Sequence, residues 1–514
     1  MGAMRIAFAR AAARAGVLGS IAAVVFLLAG LGTAVVDSVS GAATTGLREG
    51  LAAASGADGA ARWQIRVAAD PDAQAEAAAS VLDRMVTQHG ATWSRSVQTA
   101  PVDAVADGQA FGAVLLADEG VPERAELLTG AWPGDAQADA AAAEARPAPD
   151  AVPLVHGPAS LDWHEAPEET DIDVYDDVAP ALGEAFARAA GQGRILYGFV
   201  DHDVTTTYLG STTGLRLRHV QPSGHWGCTA KPADLSASAW VGGATRDFTD
   251  VDVAAMDRDL AQRLAWAERR VDLPAGRYDT VLPPGAVADL MIHAYWYAAA
   301  RAADDGRSAY SRPGGGTRIG ELLARPGVHL WSDPAHPGLE SRPFVVARSS
   351  GEVSSVFDNG LPLEGTPWID DGRLTSLLQT RETAALTGQP VTPAIDNLLL
   401  SVDDGTGDEA DLVAGVERGL LLTCLWYMRT VDAQTLLLTG LTRDGVYLVE
   451  DGEVVGAVNN FRFNESPLDL LTRFSAAGAT VPSFGREWGD VFTRTATPAL
   501  RVPDFHMSSV SEAL

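Results

Sequence analysis

Thr435-Leu-Leu-Leu-Thr-Gly-Leu-Thr-Arg-Asp-Gly-Val-Tyr-Leu-Val-Glu450 holds two apolar runs with Asp444-Gly445 between them, and a second pair, Asp451-Gly452, follows at once. An Asp-Gly pair between apolar runs is a strong short-range hairpin signal, because both residues accept the positive φ that a tight turn needs. Asp371-Gly372 repeats the pattern upstream. The last third therefore reads as sheet joined by hairpins. Working outward, Arg194–Val200, Thr205–Leu209 and Leu215–Val220 have strand composition with turn residues between them, which predicts three strands of an antiparallel meander. Helices are predicted over 182–190, over 251–271 with Met256, Leu260, Leu264 and Ala267 on one stripe, and over 286–303. The fold class is α+β, with mostly antiparallel sheets and packed helices.

Composition narrows the function classes. The chain has 514 residues, 46% hydrophobic and 20% charged, enough apolar material for sizeable cores. With 38 basic against 67 acidic residues it carries a net charge of −29, which argues against a nucleic-acid partner, since nothing here neutralises a run of phosphates. Two cysteines, Cys228 and Cys424, exclude a disulfide scaffold.

The amino terminus has another character. Arg5, Arg10 and Arg14 precede Ala15–Val36, a stretch without charge that is long enough as a helix to span a bilayer, and the arginines favour a cytoplasmic amino terminus. A single membrane helix within residues 1–40 is expected. Residues 41–135 read as a small α/β region, with strands at Trp63–Val67 and Gly112–Leu116 and a helix from Pro71 to His89. Between Ala131 and Pro180 there are twelve acidic residues and one basic residue, Arg146, so 136–175 reads as an acidic linker or solvated surface. A central domain, 176–330, and a β-rich C-terminal domain, 331–514, complete the division.

Catalytic signatures are sparse. Gly210-Ser-Thr-Thr-Gly214 has threonine where a serine hydrolase places its nucleophile, and the glycine-rich run at 313–320 reads as a flexible loop. His164-Glu165 begins a zinc-peptidase pattern that Pro167 interrupts. His219, His225 and Cys228 lie close in sequence around Gln221-Pro-Ser-Gly224 and have the ligand chemistry of a metal site, although their spacing matches no established arrangement. His293, on an apolar helix, is a further ligand candidate, with a hydrogen-bonded core residue as the alternative.

Five stretches carry a resemblance: Ser354–Leu363 with Trp368–Leu374, Leu420–Met428, Thr435–Glu450 and the tail Asp504–Ser511. Together they resemble the TldD/PmbA family of metallopeptidase-related proteins, in its TldE/PmbA branch. The resemblance implies a two-subunit assembly in which one subunit type carries a His-Glu-x-x-x-His helix, with a distal cysteine, and cleaves peptides. The corresponding helix here is Ala288–Tyr297, with one histidine, no glutamate beside it and aromatic residues where a second ligand would fall. The expectation is a subunit without its own metal site or cofactor, partnered by a TldD-like catalytic subunit that holds zinc, with peptide as substrate. Cys424, in the apolar run Leu420–Tyr427, is expected to be buried and inert. A peptide-binding wall is expected at Phe357, Asp358, Asn359, Gly360, Asn459 and Asn460, on strands with free edges.

Arg5–Val36 and Pro122–Pro133 are similar to the start of an FtsX-like transporter permease. That resemblance implies membrane association through residues 15–36, with a membrane transport component as one alternative function; a metallopeptidase with atypical ligands, for instance His219, His225 and Cys228, is another. The family resemblance places the C-terminal part in the cytoplasm, whereas one exporting helix would send it across the membrane.

Overall fold

The computed structural model describes residues 148–511, together with the backbone of four short strands between residues 96 and 118. The chain divides into two compact units, Met1–Thr99 with Leu115–Ala145, and Ala100–Val114 with Arg146–Leu514. In the first, Ser96–Gln98 pairs antiparallel with Leu116–Asp118. In the second, Val102–Ala106 and Gln109–Ala113 form a hairpin. The strand expected at 112–116 is thus divided between Gln109–Ala113 and Leu116–Asp118. The membrane helix expected at 15–36, the strand at 63–67, the helix at 71–89 and the permease-like stretches lie outside the described residues. Among the described residues no helix is long and apolar enough to cross a membrane.

Within the second unit, Arg194–Gly210, Arg216–Pro232 and Ala239–Thr245 form a three-stranded antiparallel sheet. Its first two strands pair without interruption from Arg194↔Pro232 to Gly210↔Arg216. This corrects the expected meander, since neither Asp201-His-Asp nor Gln221-Pro-Ser-Gly turns the chain. The polar run stays extended because its groups find partners on the surface, with His202 bonded to Thr170 Oγ1 at 2.7 Å and to the Arg246 carbonyl at 2.8 Å. Pro222 is tolerated because pairing with the third strand starts only at Gly224, so the N–H that Pro222 lacks falls on the side where no strand pairs.

One face of this sheet packs on two helices, Val178–Gly191 and Val253–Trp266, through Leu196, Cys228, Ala230 and Val241 against Ala185, Met256, Leu260 and Leu264. The predicted stripe of the second helix is buried, except that Ala267 caps the helix end. Asp257 beneath it accepts from Arg194 at 2.9 Å and Arg188 at 3.1 Å, tying both helices to the hairpin. The acidic stretch from 162 to 170 runs along the hairpin's outside, where Arg218 holds Asp162 at 3.2 Å and the Ala166 carbonyl at 2.8 Å.

Two larger sheets follow. One has six strands in the order Arg373–Leu374, Thr366–Asp370, Val328–Ser332, Leu398–Val402, Thr495–Thr497, Val481–Ser483. The other has ten, with Leu500–Val510 between Gly276–Leu282 and Phe461–Glu465 near its centre. Asp371-Gly372 and Asp451-Gly452 turn hairpins as expected, with aspartate φ of 45° and 53°. Asp444-Gly445 does not. Leu437–Thr442 pairs with Leu425–Asp432 and Phe461–Glu465, whereas Val446–Glu450 pairs with Arg418–Leu422 and Glu453–Val458. The pair is a crossover, and Asp444 spends its carboxylate on Arg486 at 3.0 Å and on the Ser238 hydroxyl.

The helix Pro284–Trp296 lies in the core shared by both larger sheets. Every residue from Ala286 to Tyr295 is buried, as expected for a helix apolar on all sides. It is shorter than the predicted 286–303. The Leu378 backbone bonds Ala298 and Ala300 on either side of Ala299, and the chain restarts as the short helix Ala300–Asp304.

Candidate functional site

The central helix places Asp289 and His293 one turn apart on one face. Asp289 is 1% exposed. Its Oδ1 accepts the backbone N–H of Glu487 at 3.0 Å and of Trp488 at 3.2 Å, and its Oδ2 that of Arg486 at 3.0 Å. Burial pushes this carboxyl well above the ordinary range, while the three N–H donors pull it down. The indole of Trp488 donates back to the Asp289 carbonyl at 3.1 Å. Glu487 continues the chain of contacts, accepting the N–H groups of Tyr427 at 2.7 Å and Met428 at 3.0 Å. Tyr427 sits at φ 55°, an unfavourable conformation for a bulky residue that this carboxylate clamp holds. The helix, the loop at 484–490 and the strand Leu425–Asp432 are therefore joined by two carboxylates aimed at backbone.

His293 stacks on Tyr297 with ring centroids 4.8 Å apart and contacts Thr430 Oγ1 through Nε2 at 2.9 Å. Its Nδ1 is buried without a hydrogen-bond partner. Burial, aided by the Arg429 charge, lowers its pKa from 6.5 to about 4. The neutral ring is therefore the folded form, and the stability it contributes is whole above pH 6.5 and lost as the pH falls towards 4. Urea unfolding at pH 7 and pH 4.5 should show the wild type losing about 2 kcal/mol more than His293→Gln on acidification. Equal losses would contradict the burial argument.

Cys424 is buried, its Sγ 3.7 Å from the Leu425 carbonyl, and burial drives its thiol far above the usual range. It is an apolar core residue rather than a nucleophile. Above it, the Arg486 guanidinium lies between Trp240, 4.5 Å from the ring centroid, and Trp426, 5.3 Å away. No local pattern announces this cluster, because its members come from four separate elements.

The other sequence candidates are kept apart. His219, His225 and Cys228 all lie on Arg216–Pro232, but His219 and His225 are six residues apart along an extended strand, about 20 Å. Cys228 faces the opposite side, in the helix-packed core. His219 contacts Gln221 Oε1 at 3.0 Å and His225 lies against Phe199 and Phe484. Burial pushes the Cys228 thiol up to about 11. Among the described residues no three His, Cys, Asp or Glu side chains gather to hold a metal.

The six residues of the expected wall have internal partners. Val356–Asp358 is a 3-10 turn rather than a strand, with Phe357 and Asp358 buried. Asn359 bonds the Ala347 backbone through Oδ1 and Nδ2, and Gly360, at φ 86°, leaves no room for a Cβ beside Leu215. Asn459 accepts the Leu273 N–H at 2.7 Å, and Asn460 Oδ1 takes the Thr442 hydroxyl at 3.1 Å. The neighbouring strand Phe461–Glu465 is paired on both sides, so neither stretch offers a free edge.

Residues 275–509 match the model of the PmbA/TldA metallopeptidase C-terminal domain. No curated protein matches the chain by sequence. Among solved structures, TldE from Thermococcus kodakarensis is similar at 17% identity and TM-score 0.54, over 80% of this chain and 94% of that one. A Thermotoga maritima protein described as a candidate modulator of a DNA gyrase is similar at 17% identity and TM-score 0.58, over 84% and 99%. A Bacteroides thetaiotaomicron protein with a like description has 13% identity and TM-score 0.56, over 79% and 87%. These likenesses establish a shared fold.

Proposed function

With its second half belonging to the PmbA/TldA family, we propose that this chain is the non-catalytic, TldE-like member of a two-subunit peptidase, and that zinc and peptide hydrolysis belong to a TldD-like partner. The observation that carries the reading is the use of the central helix. Ala288-Asp289-x-x-x-His293 has the spacing of His-Glu-x-x-x-His, with alanine for the first histidine and aspartate for the glutamate. This register differs from the one expected from the sequence, which took His293 as the motif's first histidine and found no acid beside it.

In this register the acid exists but is engaged. A general base must reach a water on the metal. Asp289 instead holds three backbone N–H groups of the 484–490 loop and is shut away from solvent. Ala288 cannot ligate, and one imidazole cannot fix a zinc ion. The residues present do not fit a zinc centre, and the chain's own contribution is structural: a rigid helix–loop–strand unit in the position of the family's catalytic element.

Co-expression with a TldD-like subunit that retains the full motif is the test. The expected result is one complex at about micromolar concentration, with peptide hydrolysis that requires both chains. Separate elution of the two proteins would overturn the reading.

A further inference from the structure

Between the three-stranded sheet and the six-stranded sheet lies a cleft of about 630 Å³ that the reading above does not use. Gly242–Thr245 line one side of it and Pro482–Phe484 the other, with Arg494 and Ser223 also in its wall. Both sides belong to outer strands. Among the described residues Ala239–Thr245 pairs only with Arg216–Pro232, and Val481–Ser483 only with Thr495–Thr497. An outer strand presents unpaired N–H and C=O groups that an extended chain can join. The first of these strands is glycine where two indole rings cover its opposite faces. A Cβ at Gly243 would sit 2.8 Å from Trp226 Nε1, and one at Gly242 would run into the Trp240 ring.

Arg494 supplies the charge. Its guanidinium donates from Nη2 to Ser223 Oγ, and among the described residues no carboxylate lies within ion-pair distance of it. The neighbouring Arg342 is already engaged, with Asp396 at 3.4 Å and the Phe344 carbonyl at 3.0 Å. A guanidinium largely removed from water, with only the more distant Asp396 carboxylate that Arg342 already holds, is costly, and its planar fork suits a carboxylate. The rim also carries Asp247, Asp250 and Glu340, which would repel a doubly charged phosphate. A singly charged anion attached to a backbone is the better match.

We propose that this cleft binds the carboxy-terminal end of an extended peptide, its carboxylate on Arg494 and its backbone along the outer edge at Gly242–Thr245. The site needs no catalytic partner and no metal, so its test is independent of the subunit reading and the failure of either leaves the other standing.

The probe is a fluorescein-labelled Thr-Val-Thr-Val-Thr-Val peptide, as the free acid and as the carboxy-amide, titrated by fluorescence anisotropy with the full chain. The free acid should bind about tenfold more tightly than the amide. Arg494→Gln should bind both at the amide's level, and Ala244→Pro, which removes an N–H facing away from the paired strand, should weaken both. Excess inorganic phosphate should leave the free acid bound. Equal binding of acid and amide to the wild type, a preference that survives Arg494→Gln, or displacement by phosphate would overturn the proposal. The acid–amide comparison on the wild type decides the matter even where a variant fails to fold.

Discussion

Asp289→Ala should lower the unfolding free energy by about 3–5 kcal/mol. The carboxylate is almost fully buried and accepts three backbone N–H groups, from Arg486, Glu487 and Trp488. Alanine would leave those donors without a partner in a region closed to water, and each costs roughly 1–3 kcal/mol when stranded. The loss would spread. Trp488 also donates to the Asp289 carbonyl, and Glu487 holds Tyr427 and Met428, so loosening the loop releases the strand Leu425–Asp432 as well. Asp289→Asn should fall between, at about 1–2 kcal/mol, because its amide group would face the Arg486 N–H while one oxygen is kept. Urea unfolding followed by tryptophan emission reads both. A loss under about 1 kcal/mol for alanine would mean that the loop holds without the carboxylate.

Asp358→Ala is the second large effect, with an expected loss of about 3 kcal/mol. Asp358 is 2% exposed. It receives Arg381 Nε at 2.7 Å and the Arg381 backbone N–H at 3.1 Å, at the start of the helix Arg381–Thr387. The same guanidinium donates to the Pro153 carbonyl at 2.7 Å and to that of Phe357, so one ion pair ties three segments together. Removing the acid leaves a charge with a half-open path to water, and removing Arg381 leaves a buried carboxylate. The double variant Asp358→Ala/Arg381→Ala should therefore cost clearly less than the two single losses added. Additive losses in chemical unfolding would show that the pair is not coupled. Either large loss marks Asp358 as part of the framework rather than of a peptide-binding wall.

What the sequence makes legible follows from local physics. The stripe Met256, Leu260, Leu264 and the charge-poor run from Ala286 to Tyr295 each specify a helix without outside help, and both lie where expected. Asp451-Gly452 turns a hairpin because its flanking strands want each other. Asp444-Gly445 has the same signature, but its flanking strands pair with other partners, and only the sheet order reveals that. The long hairpin hides for the opposite reason: Asp201-His-Asp and Pro222 look like turns, and they stay extended because neighbours far along the chain satisfy them or leave an edge free.

The candidate site is legible only in part. His293 and its helix stand out in the sequence, and so does the missing second histidine. That Asp289 serves a loop nearly two hundred residues away, and that Arg486 lies between two tryptophans, depends on long-range packing that no periodicity encodes.

The central claim is that the acid and histidine of the central helix serve the framework and hold no metal. Its most direct test is the zinc content of the purified chain, measured by elemental analysis after extensive desalting, alone and after assembly with a TldD-like subunit. The account predicts less than about a tenth of an equivalent for the chain alone, and about one equivalent per catalytic subunit in the assembly. Close to one equivalent bound by the chain alone would contradict it.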